Sequence, residues 1–430
     1  MSFCRTRHNR GMIASTPDPQ ASRQASRPAL RPLDDALAEL LAQARPLGRT
    51  ETVPLAHADG RVLAHDLVSP LQVPPHDNSA MDGYALRAAD VGASGAVLPV
   101  SQRIPAGTAP APLALGTAAR IFTGAPLPAG ADTVVMQEET EPASEGAIRF
   151  TKVPQQGQNV RYSGEDIQQG AVVLRAGDRI GPAALGLVAS MGLDRLAVAA
   201  RPRVALLSTG DELVMPGTVP PEQMPAGAIY NSNRFFLRRL LERAGCEVSD
   251  LGNVPDTRAA TVQALSDAAA GHDLVLASGG VSVGEEDHLR PAVQALGRLD
   301  LWQVAIKPGK PFAYGQIGAT HVIGLPGNPV SSFLTFLVLA RPFLLRLQGA
   351  TELAPPSIRL PAGFDWPRPD KRREFLRVRR NAQGGLDLFA NQGSGVLTSV
   401  AWADGLVDNP PGQAIARGDM VRFIALADWL

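Results

Sequence analysis

DLVLASGGVSVGEEDH at 273–288, LWQVAIKPGKPFAYG at 301–315 and HVIGLPGNPVSSF at 321–333 decide the fold of this chain. In each, a short apolar run stops abruptly at glycine or proline and gives way to polar residues. LVLAS is followed by Gly279-Gly280-Val281-Ser282 and then Glu285, Glu286 and Asp287; LWQVAI by Lys307-Pro308-Gly309-Lys310-Pro311; HVIGL by Pro326-Gly327-Asn328-Pro329. The same grammar holds upstream. VALLS (204–208) precedes Thr209-Gly210-Asp211-Glu212 and helix-like NRFFLRRLLERAG (233–245); CEVSDLGNV (246–254) precedes Pro255-Asp256 and helix-like DTRAATVQALSDAAA (256–270). Alternating apolar runs and helical segments are the signature of βαβ units, so residues 201–348 are read as a doubly wound α/β domain. DHLRPAVQALG (287–297) adds another helix, PFAYGQI (311–317) a short strand, and a last helix starts at Val330.

Working outward, the pattern changes on both sides. Helical spacing of apolar residues marks LDDALAELLAQA (33–44) and AALGLVASMGL (183–193). Between them, QRIPAG (102–107) and ARIFTGAPLPAGADTVVM (119–136) read as strands punctuated by proline and glycine. The division that follows is a disordered tail at 1–30, an elongated discontinuous domain at 31–70 plus 153–200, a β-rich insertion at 71–152, the α/β domain at 201–348 and a β-barrel-like C-terminal domain at 349–430. A chain of 430 residues exceeds a single core, since domains run to roughly 100 to 200 residues.

Composition excludes several functions. Forty-one basic residues balance forty-one acidic ones, so no global field favours nucleic acid or a membrane surface, and any anion site is local. The two cysteines, Cys4 and Cys246, cannot build a disulfide framework or thiolate metal cage, and their scarcity fits a cytoplasmic protein. The apolar stretch Phe333–Leu347, broken by Arg341 and Pro342, falls short of the roughly 18 to 20 residues that span a bilayer. The seven histidines form no pair at metal-binding spacing, and neither G-x-G-x-x-G after the first strand nor G-x-x-x-x-G-K-[ST] is present.

In an open α/β sheet, ligands bind beyond the carboxyl ends of the strands, which places five polar strand ends at one crevice. Gly279 and Gly280 let backbone approach a phosphate. Glu212, Asp256 and Asp287 repel phosphate but can hold Mg²⁺ beside it. Only four lysines occur, at 152, 307, 310 and 371, in a chain that otherwise uses arginine. A compact ammonium suits a small tetrahedral oxyanion, which singles out Lys307 and Lys310, with Ser282 and Pro311 alongside. Each feature also has an ordinary structural reading: acids after strands cap helices, Gly-Gly makes turns, and Lys beside Pro-Gly is a solvated loop residue. Their coincidence at one edge favours the ligand site.

The segments DNSAMDGYA (77–85), FTGAPLPAGADTVV (122–135), GQNVRYSGEDI (157–167), STGDEL (208–213), SGGVSVGEEDH (278–288), AIKPGKPFAYG (305–315) and GLPGNPVSSF (324–333) resemble the molybdopterin molybdenumtransferases, the MoeA and gephyrin E-domain family. The similarity runs in order from about Pro32 to the C-terminus. It implies a four-domain homodimer that inserts molybdenum from molybdate into adenylated molybdopterin, releasing AMP with Mg²⁺ assisting, and hands the cofactor to other biosynthetic proteins or molybdoenzymes. It also implies that the site lies between the α/β domain of one subunit and the insertion of the other. Residue by residue, the resemblance adds Asp82, Thr123, Arg161, Asp166, Arg377 and Ser394 to Glu212, Asp256, Asp287, Lys307 and Lys310. Two departures stand out: Tyr162-Ser163 where an arginine run is common, and Gln303 where a lysine is.

Other readings are an adenylyltransferase of the preceding pathway step, which lacks the insertion and the C-terminal domain, a gephyrin-like scaffold without catalysis, and a bare nucleotide-binding module. A scaffold would tolerate loss of the strand-end acids and lysines, all of which are present.

Overall fold

The computed structural model describes Met1 and residues 30–144, 146–281 and 288–429. The expectations for the N-terminal tail, for Ser282 and for Asp287 lie outside these residues.

The α/β domain is a six-stranded sheet in the order Glu247–Val254, Arg203–Thr209, Leu274–Ser278, Thr320–Leu325, Pro311–Ile317, Arg298–Gln303. The first four strands are parallel. The fifth is antiparallel to both its neighbours, so the sixth again runs with the first four. The ends at Val254, Thr209, Ser278, Leu325 and Gln303 therefore all emerge at one edge. Alternate side chains of the strands serve two separate cores, as period-two geometry requires of a sheet covered on both faces. Val204, Leu206, Leu274, Leu276 and Ile323 join one core; Ala205, Leu207, Val275, Ala277 and Val322 join the other. Helix Asn233–Arg243 buries Leu237, Leu240 and Leu241 on the first face. Helix Arg258–Gly271 packs Leu265 and Ala268 on the second, its start capped by Thr257, whose side chain accepts from the Ala260 N–H.

The helix Leu33–Gln43, expected in the elongated domain, packs Leu33, Ala36 and Leu40 into the core of the α/β sheet with Leu237 and Leu337. Two expectations are corrected. LWQVAI is not one strand: pairing in the α/β sheet stops at Gln303, the Ala305 N–H donates to the Arg31 carbonyl, and Ile306–Lys307 pairs with Arg373–Glu374 of the C-terminal sheet. The final helix starts earlier than expected and spans Pro329–Leu347, 19 residues of mean hydropathy 1.6. It is long and apolar enough to cross a bilayer, yet it is 94% buried in the protein, where it forms the spine of the main core.

The insertion is a six-stranded sheet in the order Thr133–Met136, Gly83–Leu86, Ala118–Ile121, Val97–Ile104, Ala147–Phe150, Thr140–Pro142. Small apolar cores lie on its two faces, one around Phe150 and Leu86 and the other around Ile104 and Ile121. The strand Thr50–Pro54 pairs with Arg195–Ala199, far apart in sequence, around a core of Val53, Ile180, Val188 and Val198. The C-terminal sheet orders Ile306–Lys307, Arg373–Arg380, Gly405–Asn409, Met420–Ala425 and Ile358–Pro361.

Candidate functional site

At the carboxyl edge of the α/β sheet the strand-end loops enclose a cavity of ≈ 520 Å³. Its lining includes Thr209, Gly210, Glu212, Asp256, Gly279, Gly280, Pro311, Gly327 and Pro329, so four of the five expected strand ends contribute directly and the fifth brings Pro311. Gly279 has no substitute: at φ +94°, a Cβ would stand 2.8 Å from the Thr209 carbonyl oxygen. Its N–H already donates to the Leu325 carbonyl at 3.1 Å and is not free for a ligand. The glycine therefore acts by letting two strand ends close together, leaving the floor of the cavity open.

Two asparagines that the sequence reading did not single out hold this floor. The Asn233 side-chain amide donates to Ser278 Oγ at 3.0 Å and to the Gly327 carbonyl at 2.7 Å, tying the ends of two neighbouring strands together. Asn231, 1% exposed, donates through Nδ2 to Asn253 Oδ1 at 2.8 Å. The signal available was the polar run Tyr230-Asn231-Ser232-Asn233 just before a helix, where asparagine reads equally well as a cap.

Glu212 and Asp256 both face the cavity, and the Asp256 N–H donates to Asp211 Oδ1 at 3.0 Å, fixing the loop that carries it. Among the described residues no three acids, histidines or cysteines cluster as a metal cage. Two carboxylates are nevertheless a sufficient protein contribution for Mg²⁺, which keeps waters and takes the rest of its ligands from substrate phosphates.

The two lysines are in different situations. The Lys307 ammonium lies 3.2 Å from Glu374 Oε1 and 3.5 Å from Asp370 Oδ2, so its charge is already compensated by the C-terminal domain. Lys310, half-buried beside Pro311, has no ion pair among the described residues. Ser394 is placed close by: its carbonyl accepts from the Val330 N–H at 2.9 Å, seating the loop on the start of the helix that lines the cavity. Arg377 lies beneath the same loop. It is 1% exposed, with its guanidinium donating to the Phe375 carbonyl (2.9 Å), Ser399 Oγ (3.1 Å) and the Gly393 carbonyl (3.3 Å), and burial pushes its pKa down to about 10. It supports the Ser394 loop through the Gly393 carbonyl.

Asp82 and Thr123 form a second centre on the insertion. Asp82 Oδ1 accepts from the Thr123 N–H at 2.8 Å and from its hydroxyl at 2.7 Å. The Thr123 N–H, then its hydroxyl, outweigh desolvation and with Arg120 hold the Asp82 carboxyl below the usual carboxylate range. The strand that follows can approach its neighbour Thr133–Met136 because residue 83 is glycine: a Cβ there would sit 1.9 Å from the Val135 carbonyl oxygen. Arg161 and Asp166 are exposed at the neck of the insertion, where Arg161 pairs with Asn78 and the Asp166 N–H donates to the Val73 carbonyl. Of the two departures there, Ser163 donates its N–H to Asp77 Oδ1 at 2.8 Å and Tyr162 is exposed. Among the described residues, none of the insertion lines the sheet-edge cavity. The expected site residues thus fall into two groups within one chain, not one.

Comparison with known proteins gives one consistent answer. Residues 31–192 match the family model described as MoeA N-terminal region (domain I and II), 205–346 a probable molybdopterin binding domain, and 359–426 the MoeA C-terminal region (domain IV). A Haemophilus influenzae protein named molybdopterin molybdenumtransferase is 41% identical over 333 residues, 75% of this chain and 79% of that protein. A Mycobacterium tuberculosis protein named molybdopterin molybdenumtransferase 2 is 39% identical over 391 residues, 87% of this chain and 93% of that protein. The crystal structure of a molybdopterin biosynthesis MoeA protein from Pyrococcus horikoshii matches with a TM-score of 0.81 at 30% identity, covering 92% of this chain and 100% of that one.

Proposed function

Since the chain belongs to the MoeA family, we propose that it is a molybdopterin molybdenumtransferase of molybdenum cofactor biosynthesis, inserting molybdenum from molybdate into adenylated molybdopterin with release of AMP. The observation that carries this reading is the sheet-edge cavity, lined by Glu212, Asp256 and Pro311, the last next in sequence to Lys310, whose ammonium has no ion pair among the described residues. Such a site offers carboxylates for a metal-bridged phosphate and, beside them, a point charge for a small oxyanion. The dithiolene of the substrate supplies sulfur ligands to molybdenum, which is consistent with a site that uses no cysteine. Cys246 is buried, and desolvation pushes its thiol well above the usual range.

In this reading the Gly279-Gly280 turn admits the adenylate, Glu212 and Asp256 orient its phosphates, and Lys310 and Ser394 receive molybdate. Mg²⁺ would be held by Glu212 and Asp256 and would offset phosphate charge when bound. Asp287, from the adjoining segment, belongs to the same proposal. Asp82 and Thr123 act from the insertion of a second subunit, with Arg161 and Asp166 at its base. The separation of the two groups within one chain supports a homodimer in which each subunit completes the other's site. The charge balance and cysteine scarcity suit a cytoplasmic enzyme that passes its product to other cofactor-biosynthesis proteins or to molybdoenzymes.

The test is AMP release and cofactor activation by the purified protein with adenylated molybdopterin, molybdate and Mg²⁺. Wild type should turn over, and Asp256→Asn and Asp287→Ala should fail while remaining folded. An inert wild type with competent substrate would end the transferase reading.

A further inference from the structure

One face of the insertion sheet carries a layer of cations and rings that the proposed reaction does not yet use. Tyr84, Arg120 and Phe122 lie on neighbouring strand positions, with Tyr84 opposite Arg120 in the register. The Arg120 guanidinium stacks 5.2 Å from the Tyr84 ring and 4.8 Å from the Phe122 ring, and Arg103 covers Phe122 at 4.6 Å. Among the described residues Arg120 has no carboxylate within ion-pair distance. Its polar contacts go elsewhere: one nitrogen donates to the Gly83 carbonyl at 3.0 Å, another to Gln137 Oε1 at 2.6 Å. The Gln137 N–H in turn donates to the Asp82 carbonyl at 3.1 Å. The carbonyl of the Asp82–Gly83 peptide and the carbonyl that follows it are thereby fixed by one glutamine and one arginine.

An arginine held between two rings loses little further freedom on making these bonds, so its planar fork is an effective clamp. The other side of Asp82 is held by Thr123, three residues along the same chain from Arg120, through the two bonds to Oδ1. With the peptide and one carboxylate oxygen both fixed, the direction of the second oxygen is set, and the positive charge of Arg120 acts on the carboxylate as well. We infer that Arg120, with Gln137, is a positioning residue for Asp82: it holds the carboxylate in the orientation that the transfer reaction uses, without itself touching substrate. This inference rests on the reading that Asp82 takes part in the reaction.

The experiment uses the full-length protein and compares Arg120→Lys, Arg120→Met, Asp82→Asn and the double variant Arg120→Met/Asp82→Asn in steady-state AMP release, with thermal unfolding of each. Arg120→Met should lower kcat by about tenfold with KM for adenylated molybdopterin within about twofold, the size expected from losing roughly one charge-assisted hydrogen bond at the site. Arg120→Lys keeps the charge but not the fork and should recover part of that loss. Because Arg120 acts through Asp82, adding Arg120→Met to Asp82→Asn should cost nothing further, a coupling that a merely structural role would not produce. If Arg120→Met also loses activity in the Asp82→Asn background, or if both arginine variants match wild type in kcat, the positioning role is wrong. If Asp82→Asn itself turns over like wild type, it is the role of Asp82 in the proposed function that fails. Should Arg120→Met not fold, Arg120→Lys and Gln137→Ala carry the same comparison.

Discussion

Replacing Lys307 by methionine separates two roles that the sequence assigned to one residue. Glu374 is 1% exposed, and its Oε2 accepts from Trp366 Nε1 at 2.8 Å, the Asp370 N–H at 3.1 Å and Asn409 Nδ2 at 3.4 Å. Its Oε1 has no hydrogen bond among the described residues and faces only the Lys307 ammonium at 3.2 Å. Lys307→Met would therefore leave a buried carboxylate oxygen without a polar partner. Removing one member of a fully buried pair costs about 3 to 5 kcal/mol. The Lys307 side chain is 38% exposed, so water screens the pair and the loss should be smaller, about 1 to 2 kcal/mol. For a domain of this size that corresponds to a fall in Tm of roughly 2 to 8 °C. Glu374→Gln in the methionine background removes the stranded charge and should restore much of the loss, so the two substitutions couple in a double-mutant cycle. Calorimetry on the four proteins measures it. A Lys307→Met protein that unfolds with wild type, or a cycle that is additive, would refute the view of Lys307 as a strut between the α/β and C-terminal domains.

Lys310→Ala should behave in the opposite way: with no ion pair to lose among the described residues, its Tm should stay within about 1 °C, while KM for molybdate in AMP release rises about tenfold. Equal KM values for variant and wild type would remove Lys310 from the oxyanion site. Gly279→Ala sets a Cβ 2.8 Å from the Thr209 carbonyl at a φ of +94°, so it should distort the cavity floor and abolish AMP binding in calorimetric titration; unchanged affinity would contradict the close approach. Thr123→Val removes the second of the bonds that lower the Asp82 pKa and keeps the first, from the backbone N–H, so the pKa should rise in part. A carboxylate required in ionised form then loses activity at higher pH than before, and the acidic limb of kcat against pH should move upward. A limb that stays in place while Asp82→Asn is inactive would show that Asp82 ionisation does not govern the rate.

Chemistry at the strand ends was legible because it depends on local order. A glycine pair after LVLAS, an acid after a strand and a lysine before Pro311 must lie at the sheet edge once the strands form, whichever order they take. The same locality explains the pairing of Asp82 with Thr123 only after the fact: forty-one residues separate them, and no spacing rule brings the two strands into register. Arg377 shows the reverse limit. Its motif gives a charged residue beside a polar loop, but burial depends on what packs above it, and here Phe375, Ser399 and Gly393 enclose it. Asn231 and Asn233 were invisible for a similar reason, since an asparagine before a helix makes the same local pattern whether it caps that helix or bonds two distant loops.

By itself, the sequence determined the βαβ character of residues 201–348, the polar strand ends, and the β-rich insertion and C-terminus, because each follows from periodicity, composition or turn chemistry within a few residues. Only the tertiary structure decided that the Leu33–Gln43 helix packs on the α/β core, that LWQVAI divides between two sheets, that Lys307 serves Glu374, and that the insertion centre stands apart from the cavity within one chain. These are contests between distant partners for the same apolar face, hydrogen bond or charge. Their outcome is set by which core, sheet or carboxylate the folded chain brings within reach, a quantity that no local window of sequence contains.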